Sequence, residues 1–242
     1  MRSVLVTGAS GFIGRWLVEA LAQREGCQVW GLARSDRAAR RVEHAGGRPR
    51  RGDLQDPESL RLALRGVDTV FHLAALMDRG APIGWHRLHE VNALGTRRLL
   101  EQAARAGVTR VVVCSSADVV GATPASGATE LTPYHPETAY ARSKVEAERL
   151  VQEFAQRRGV EVVTVRPTLV YGPGDIDSQV FQLFSAVRRR RFVYLGGGDC
   201  LMDLVHVRDV VGGLVQAATA AGVHARVYFL TSPRTHTVRE VV

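Results

Sequence analysis

The sequence contains no long hydrophobic run and few cysteines, and these absences narrow the classes of protein to which it can belong. No segment approaches the roughly 18 to 20 consecutive apolar residues of a membrane helix, so we expect no membrane association and a cytoplasmic location. The cysteines Cys27, Cys114 and Cys200 are odd in number and widely spaced, which predicts neither a disulfide framework nor a zinc site. His86 and His89 lack a third ligand at suitable spacing, so no metal site is predicted.

A nucleic-acid-binding motif is also absent, although the formal net charge is +8. Much of the positive charge lies in two clusters, at positions 34–51 and 188–191. Because no recognition motif accompanies either cluster, the charge is typical of a solvated surface, and we expect no nucleic-acid partner.

The sequence does contain a regular alternation of short apolar runs and longer amphipathic stretches. The short runs have the composition of strands buried on both faces and lie at Val4–Thr7, Val29–Ala33, Val70–Ala74, Arg110–Ser115 and Val162–Arg166. Helices are predicted between them, at Ile13–Arg24, Pro57–Arg65, Trp85–Ala106 and Glu137–Arg158. This order predicts an α/β fold with a Rossmann-type, doubly wound parallel sheet.

A glycine-rich segment joins the first predicted strand to the first predicted helix. Gly8 permits a tight turn, Gly11 allows backbone amides to approach a pyrophosphate, and Gly14 allows the helix to pack closely on the strand. The helix N-terminus then faces the anion. The segment therefore predicts a dinucleotide site, with contacts from Gly8, Ser10, Gly11, Phe12, Ile13 and Gly14.

Two further segments indicate which dinucleotide binds. Arg34 follows the second strand, where an acidic residue would bind the ribose of NAD, and an arginine there suits a 2′-phosphate. NADP(H) is therefore favoured over NAD(H), which stays possible, since Asp36 is an alternative ribose partner. Asp53 is placed to accept a hydrogen bond from the adenine, next to Leu54. The small residues Ala74 and Ala75 let the cofactor lie close; His72, just before them, is interpreted equally well as a packed strand residue or a ligand contact.

Beyond residue 166 the pattern is less regular. We predict a cofactor-binding domain at residues 1–170 and a small substrate-binding region at 171–242, with elements at about 200–232 that return to the sheet. Helices are predicted at Asp177–Arg190 and Arg208–Ala221, and a strand near Arg226–Leu230. Thr237 and Glu240 form a capping box, which predicts that a helix begins where the sequence stops. We therefore expect the C-terminal region to be incomplete.

Tyr140 and Lys144 form the pair most indicative of chemistry. Residues at positions i and i+4 lie on one face of a helix, so the Lys144 ammonium can lie beside the Tyr140 hydroxyl. The pKa of a free tyrosine is about 10, and a nearby positive charge lowers it by stabilising the phenolate. The pair therefore predicts a proton donor and acceptor.

Together these residues resemble the extended short-chain dehydrogenase/reductase family, which contains nucleotide-sugar epimerases, dehydratases, dihydroflavonol reductases and 3β-hydroxysteroid dehydrogenases. The resemblance covers essentially the whole chain. It rests on Thr7–Gly14, Gly52–Leu54, His72–Ala75, Asn92, Ser115–Ser116, Tyr140–Lys144 and Arg166–Gly174.

The resemblance implies roles for several of these residues. Tyr140 would be the acid/base, and Lys144 would lower its pKa and bind the nicotinamide ribose. Ser116 would polarise the same substrate oxygen, with Ser115 as the alternative. The chain around Pro167 would line the nicotinamide end. Asn92 would hold the geometry of the active-site helix or a water.

The resemblance also implies an NAD(P)-dependent enzyme but leaves its reaction open. Leu169 stands where nucleotide-sugar enzymes have Asn, and Val120 replaces a Tyr common in sugar epimerases. We therefore favour hydride transfer between NADP(H) and a carbonyl or secondary alcohol of a small molecule. The alternatives are a nucleotide-sugar epimerase or dehydratase using bound NAD(P), and a non-catalytic NADP-binding sensor. A homodimer formed through a four-helix contact is a further expectation; the sequence does not identify the substrate or the direction of reaction.

Overall fold

The structure is a computed structural model that describes residues 1–77, 82–122, 127–156, 159–176, 178–194 and 196–242. Its strands are β1 Ser3–Thr7, β2 Gln28–Ala33, β3 Arg48–Arg51, β4 Thr69–His72, β5 Arg110–Cys114, β6 Glu161–Pro167, β7 Leu169–Tyr171, β8 Leu201–Met202, β9 Leu204–His206, β10 Val227–Leu230 and β11 His236–Thr237. Its helices are α1 Phe12–Ala22, α2 Asp36–His44, α3 Pro57–Ala63, α4 Trp85–Leu88, α5 Gly95–Arg105, α6 Ala139–Ala155, α7 Gln179–Arg188, α8 Val207–Thr219 and α9 Val238–Val241.

Within the described residues, a seven-stranded sheet has the order β10-β6-β5-β4-β1-β2-β3, and its paired strands are parallel. Helices cover both faces. One face buries Leu17 of α1 and Leu214 of α8, while the other buries Leu60 of α3, Leu99 of α5 and Phe154 of α6. The predicted doubly wound parallel sheet is confirmed. Its strand order reverses between β1 and β4, the place where such sheets bind ligands.

Several elements lie outside the ranges predicted from the sequence: helix α2, strand β3 and the short strands β7, β8, β9 and β11. Helix α2 is strongly basic, and its only buried residue is Val42. Strand β3 has the sequence Arg-Pro-Arg-Arg and lies at the edge of the sheet. Neither element shows the apolar periodicity that marks buried structure, because one face of each is exposed. A Pro is tolerated in β3 because an edge strand need not donate every ladder hydrogen bond.

The predicted helix at Trp85–Ala106 is continuous, but it contains a π-helical segment at His89–Leu94 between α4 and α5. The helix predicted at Glu137–Arg158 begins at Ala139, where the Thr138 side chain caps it, and position 158 lies outside the described residues. Helix α7 begins at Gln179; Asp177, the predicted start, also lies outside the described part. The capping box of Thr237 and Glu240 is present at the start of α9.

Strands β4 and β5 end earlier than predicted, at His72 and Cys114. The chain therefore leaves the sheet at Ala74, Ala75 and Ser115, at the carboxyl edge where the candidate site lies. Within the described ranges, no helix is both long and apolar enough to cross a bilayer, and no group of three potential ligands could hold a metal ion.

Candidate active site

The glycine turn between β1 and α1 has the geometry that a dinucleotide needs. Gly8 has φ +69°, and a Cβ there would lie 2.8 Å from the Ala74 nitrogen. A Cβ at Gly14 would lie 2.1 Å from the carbonyl oxygen of Gly8, so α1 approaches the turn as closely as glycine permits. No described side chain caps the start of α1 at Gly11, which leaves its first amides for an anion. The residues therefore fit a bound dinucleotide. The half-buried Ser10 lies in the same turn, and the half-buried Phe12 and Ile13 begin α1.

Charged side chains meet beyond the ends of β2 and β3. The Nη1 atom of Arg34 lies 4.0 Å from Oδ2 of Asp53, with 67% and 39% of their side chains exposed. Asp36, the alternative ribose partner, forms an ion pair with Arg51. Exposed pairs at such distances are weak. Arg34 can therefore leave Asp53 for a stronger anion. The pair of Asp36 with Arg51 is exposed as well, so Asp36 can also leave its partner. Leu54 is buried, and it lies against Gly95 of α5.

The three predicted catalytic side chains are held by α6 and by the turn after β5. Thr138 accepts a hydrogen bond from the Ala141 amide, 3.0 Å away, and so fixes the start of α6 just before Tyr140. Lys144 is 5% exposed, and its Nζ donates to the carbonyl oxygen of Cys114 at 2.8 Å. Ser116 caps the 3₁₀ turn after β5, and its side chain lies close enough to the Tyr140 hydroxyl to lower the pKa of the phenol. The three residues thus share one site at the carboxyl edge of the sheet.

Burial dominates the electrostatics of this site. Burial and the nearby Asp118 carboxylate raise the pKa of Tyr140, and the Ser116 side chain only partly opposes them. Burial also lowers the pKa of Lys144. Lys144 is not among the groups that shift the pKa of Tyr140 here, since its ammonium donates to the Cys114 carbonyl. That Lys144 lowers the pKa of Tyr140 stays a prediction. Tyr140 is a protonated phenol at neutral pH and can act as a proton donor.

Ser115 and Ser116 face different surroundings. Ser115 is buried, and its backbone amide donates to the Val165 carbonyl oxygen at 2.7 Å. Its hydroxyl has no hydrogen-bond partner in the described part of the chain. Ser116 is half-buried and accepts a hydrogen bond from the Asp118 amide at 3.2 Å. Ser116 is thus the serine that reaches Tyr140.

Asn92 and His72 lie between the cofactor turn and α6. Asn92, in the π-helical segment, accepts from the Leu76 amide at 2.7 Å and donates to the Leu76 carbonyl and to Ser143 Oγ, both at 2.9 Å. His72 is 3% exposed, and both of its ring nitrogens bind threonine hydroxyls, so it is a packed strand residue. Pro167, at the end of β6, is buried.

A buried ion pair behind the site was missed from the sequence. Arg166 of β6 donates to Glu148 through Nε at 3.0 Å and Nη2 at 2.7 Å, with 3% and 1% of their side chains exposed. Tyr134 donates to Glu148 at 2.9 Å; burial first, and then Glu148, raises its pKa to about 12. Glu148 lies four residues after Lys144 and therefore on the same face of α6. That spacing is the feature of the sequence that could have indicated an acidic side chain behind the site.

The chain is similar to known proteins in sequence and in fold. The profile of the NAD dependent epimerase/dehydratase family matches residues 4–230. The chain is 37% identical over 229 residues to the 4-hydroxy-2-methyl-3-oxo-4-farnesyl-3,4-dihydroquinoline-1-oxide ketoreductase of Stigmatella aurantiaca, covering 93% of this chain and 67% of the relative. It is 31% identical over 251 residues to the 2-alkyl-3-oxoalkanoate reductase of Stenotrophomonas maltophilia, covering 99% and 73%.

A similar solved structure is MoeE5 in complex with UDP-glucose and NAD. It matches with a TM-score of 0.83 and 37% identity, covering 99% of this chain and 79% of MoeE5. The family profile, the relatives and the fold agree with one another. The chain therefore belongs to the NAD dependent epimerase/dehydratase family and is an NAD(P)-dependent enzyme.

Proposed function

We propose that this enzyme transfers a hydride between NADP(H) and the carbonyl or secondary alcohol of a small molecule. The observation that carries the proposal is the cluster of Tyr140, Ser116 and Lys144 beside the glycine turn. Such a cluster supplies a proton donor, a second hydrogen-bond donor and a cation on the side of the sheet where the cofactor binds. Similarity to two ketone reductases supports the same reaction.

In reduction, Tyr140 and Ser116 would bind the substrate carbonyl oxygen together. When bound, the nicotinamide supplies the hydride that reduces the carbonyl carbon. The Tyr140 hydroxyl gives its proton to the oxygen, which yields the alcohol and a phenolate that solvent reprotonates. The nearby Ser116 side chain lowers the pKa of Tyr140, and by donating a hydrogen bond it would stabilise that phenolate. Lys144 and the segment around Pro167 would hold the nicotinamide end.

We propose NADP(H) rather than NAD(H) as the preferred cofactor. Arg34 is an exposed cation at the end of β2 whose ion pair with Asp53 is long. A 2′-phosphate offers it a stronger, charge-assisted contact. Asp53, Leu54, Ala74 and Ala75 would line the adenosine and pyrophosphate, as the sequence predicts.

A nucleotide-sugar reaction is the second candidate, favoured by the similarity to MoeE5, whose solved structure contains UDP-glucose and NAD. Leu169 weakens it, because an apolar side chain replaces the Asn expected there. Leu169 lies in β7, where its amide donates to Asp203 at 3.1 Å. The non-catalytic sensor has less support, since a sensor needs none of Ser116, Tyr140 and Lys144.

The decisive experiment presents two substrate panels to the full chain. NADPH oxidation is measured with ketones, including β-keto acids, steroids and flavanones, and conversion of UDP- and dTDP-sugars is followed separately with NAD and NADP. We expect NADPH oxidation with at least one ketone. Conversion of sugars alone would establish the second candidate, and tight NADPH binding without turnover of either panel would establish the sensor.

We also propose that the enzyme forms a homodimer through α5 and α6, which pack side by side. Two copies of this helix pair would make a four-helix contact. Light scattering after size-exclusion chromatography tests this, and a mass equal to one chain at micromolar concentration would contradict it.

A further inference from the structure

His72 has an unusual place in the molecule because it joins the cofactor turn to the helix that precedes the catalytic one. Its Nδ1 lies 2.8 Å from Thr7 Oγ1, and its Nε2 lies 2.8 Å from Thr96 Oγ1. Thr7 is the last residue of β1, directly before the glycine turn, and Thr96 lies in the first turn of α5. Thr7, His72 and Thr96 are nearly inaccessible to solvent, with exposures of 0%, 3% and 2%.

The surrounding contacts permit only one arrangement of protons. Thr96 Oγ1 lies 2.6 Å from the Asn92 carbonyl oxygen, which can only accept, so the single Thr96 hydroxyl proton points there. The proton between Thr96 and His72 must therefore come from Nε2. On the other side, the Ala74 amide donates to Thr7 Oγ1 at 3.1 Å. Because the single proton of a neutral ring is then on Nε2, Nδ1 can only accept, and the Thr7 hydroxyl donates to it.

The result is a directed chain of hydrogen bonds. It runs from the Ala74 amide through Thr7, His72 and Thr96 to the Asn92 carbonyl. The side chain of Asn92 continues it to Ser143, whose Oγ donates to the Tyr140 carbonyl at 2.7 Å. Every polar group in this buried path is satisfied, and such a network rigidifies the elements that it joins.

The imidazole is suited to this task only as a neutral ring. A protonated ring would donate from both nitrogens, and the Thr7 hydroxyl would lose its acceptor. Burial first, and then the nearby Lys144 ammonium, lowers the pKa of His72 to about 3. Together with the two threonine contacts, this favours the neutral ring at pH 5 to 8.

We propose that His72 is a positioning residue that couples the cofactor segment after β4 to the helix bearing Tyr140, through its neutral Nε2–H tautomer. His72 holds Ala74 through Thr7, and Asn92 holds Leu76, so the segment is fixed from both ends. The consequence is a defined distance between the cofactor and the Tyr140 hydroxyl. This inference rests on the proposed function for its effect on rate, but not for its geometry.

The first test requires no substrate. Long-range ¹⁵N–¹H spectra of histidine-labelled full chain, with His72 assigned from the His72→Gln difference, should show a protonated Nε2 and a bare Nδ1. The signals should not titrate between pH 8 and pH 5. An Nδ1–H tautomer, or titration near the ordinary pKa of about 6.5, would overturn the proposal even if no substrate is ever found.

The second test measures rate. Thr96→Val and His72→Phe should lower kcat by roughly tenfold to a hundredfold, the range expected for a misplaced reacting group, with the KM for NADPH nearly unchanged. Thr96→Ser keeps the hydroxyl and should restore the rate. His224 is the matched control: its Nδ1 accepts from Val162 at 3.2 Å and its Nε2 lies 3.0 Å from the Ala155 carbonyl, far from the site. His224→Phe should leave kcat unchanged.

If His72→Phe does not fold, the comparison of Thr96→Val with Thr96→Ser still tests the proposal. Thr96→Val with the kcat of the unmodified enzyme, or Thr96→Ser as slow as Thr96→Val, contradicts the coupling.

Discussion

At the scale of single residues, one hydroxyl group carries the proposed proton transfer. Tyr140→Phe removes that hydroxyl and keeps the ring, so we expect kcat to fall by about 10²- to 10⁴-fold, as for loss of a general acid. Affinity for NADPH, measured by fluorescence titration, should be almost unchanged. Tyr228, which is 38% exposed on β10, is the matched control, and Tyr228→Phe should keep full activity. Substantial turnover by Tyr140→Phe would show that another group donates the proton.

Cofactor choice is also decided by a single residue. Arg34→Ala removes the cation after β2, and loss of a charge-assisted contact of about 1.5 to 3 kcal/mol should weaken NADP(H) binding by roughly tenfold or more. Binding of NAD(H) should not weaken. Arg61→Ala, which removes an exposed cation paired with Glu58 on α3, controls for net charge. Calorimetry of the unmodified enzyme that finds equal affinity for the two cofactors would refute the preference.

At the scale of secondary-structure elements, the approach of α1 to the glycine turn is the feature most sensitive to change. In Gly14→Ala the new Cβ would lie 2.1 Å from the Gly8 carbonyl, so α1 must move and cofactor binding should be lost. Gly212 lies in α8, and no described atom falls within 4 Å of a Cβ there. Gly212→Ala should therefore raise the stability by about 0.5 to 1 kcal/mol through helix propensity. Thermal melts with and without NADPH measure both effects; cofactor binding by Gly14→Ala at unchanged affinity would contradict this geometry.

The elements also show what the sequence could and could not predict. Strands β1, β2, β4, β5 and β6 were predicted because buried parallel strands are nearly continuous apolar runs. The bounds of strand β3 and of helix α2 were not predicted, because both elements keep a polar, exposed face. The π-helical segment around Asn92 has no periodicity of its own in the sequence. Tyr140, Lys144 and Ser116 were predicted as site residues by spacing and resemblance, but the contact of the Lys144 side chain with the Cys114 carbonyl depends on packing that no local pattern encodes.

At the scale of the whole molecule, the buried neutral His72 links stability to pH. Its folded-state pKa of about 3 lies below the unfolded value, so the unfolded chain binds a proton that the folded chain does not. The stability that depends on a neutral His72 is fully present well above pH 6.5, and it is lost as the pH falls toward 3. At pH 5 this amounts to about 2 kcal/mol relative to pH 8. The free energy of unfolding of the unmodified enzyme and of His72→Gln should be measured in urea at pH 8 and at pH 5. The difference between the two proteins should be smaller at pH 5 by that amount, and an equal difference at both pH values would contradict a neutral His72.

The central claim is that the enzyme directs a hydride from NADPH to a carbonyl carbon, with Tyr140 as the acid. Isotope transfer tests this claim most directly. The enzyme is given NADPH deuterated in turn on each face of the nicotinamide C4, together with a ketone from the active panel, and the product is analysed by mass spectrometry. We expect one deuterium on the carbinol carbon from one of the two faces, and no labelled alcohol from Tyr140→Phe. No labelled alcohol from any ketone, with a nucleotide sugar converted without net consumption of the cofactor, would contradict the claim.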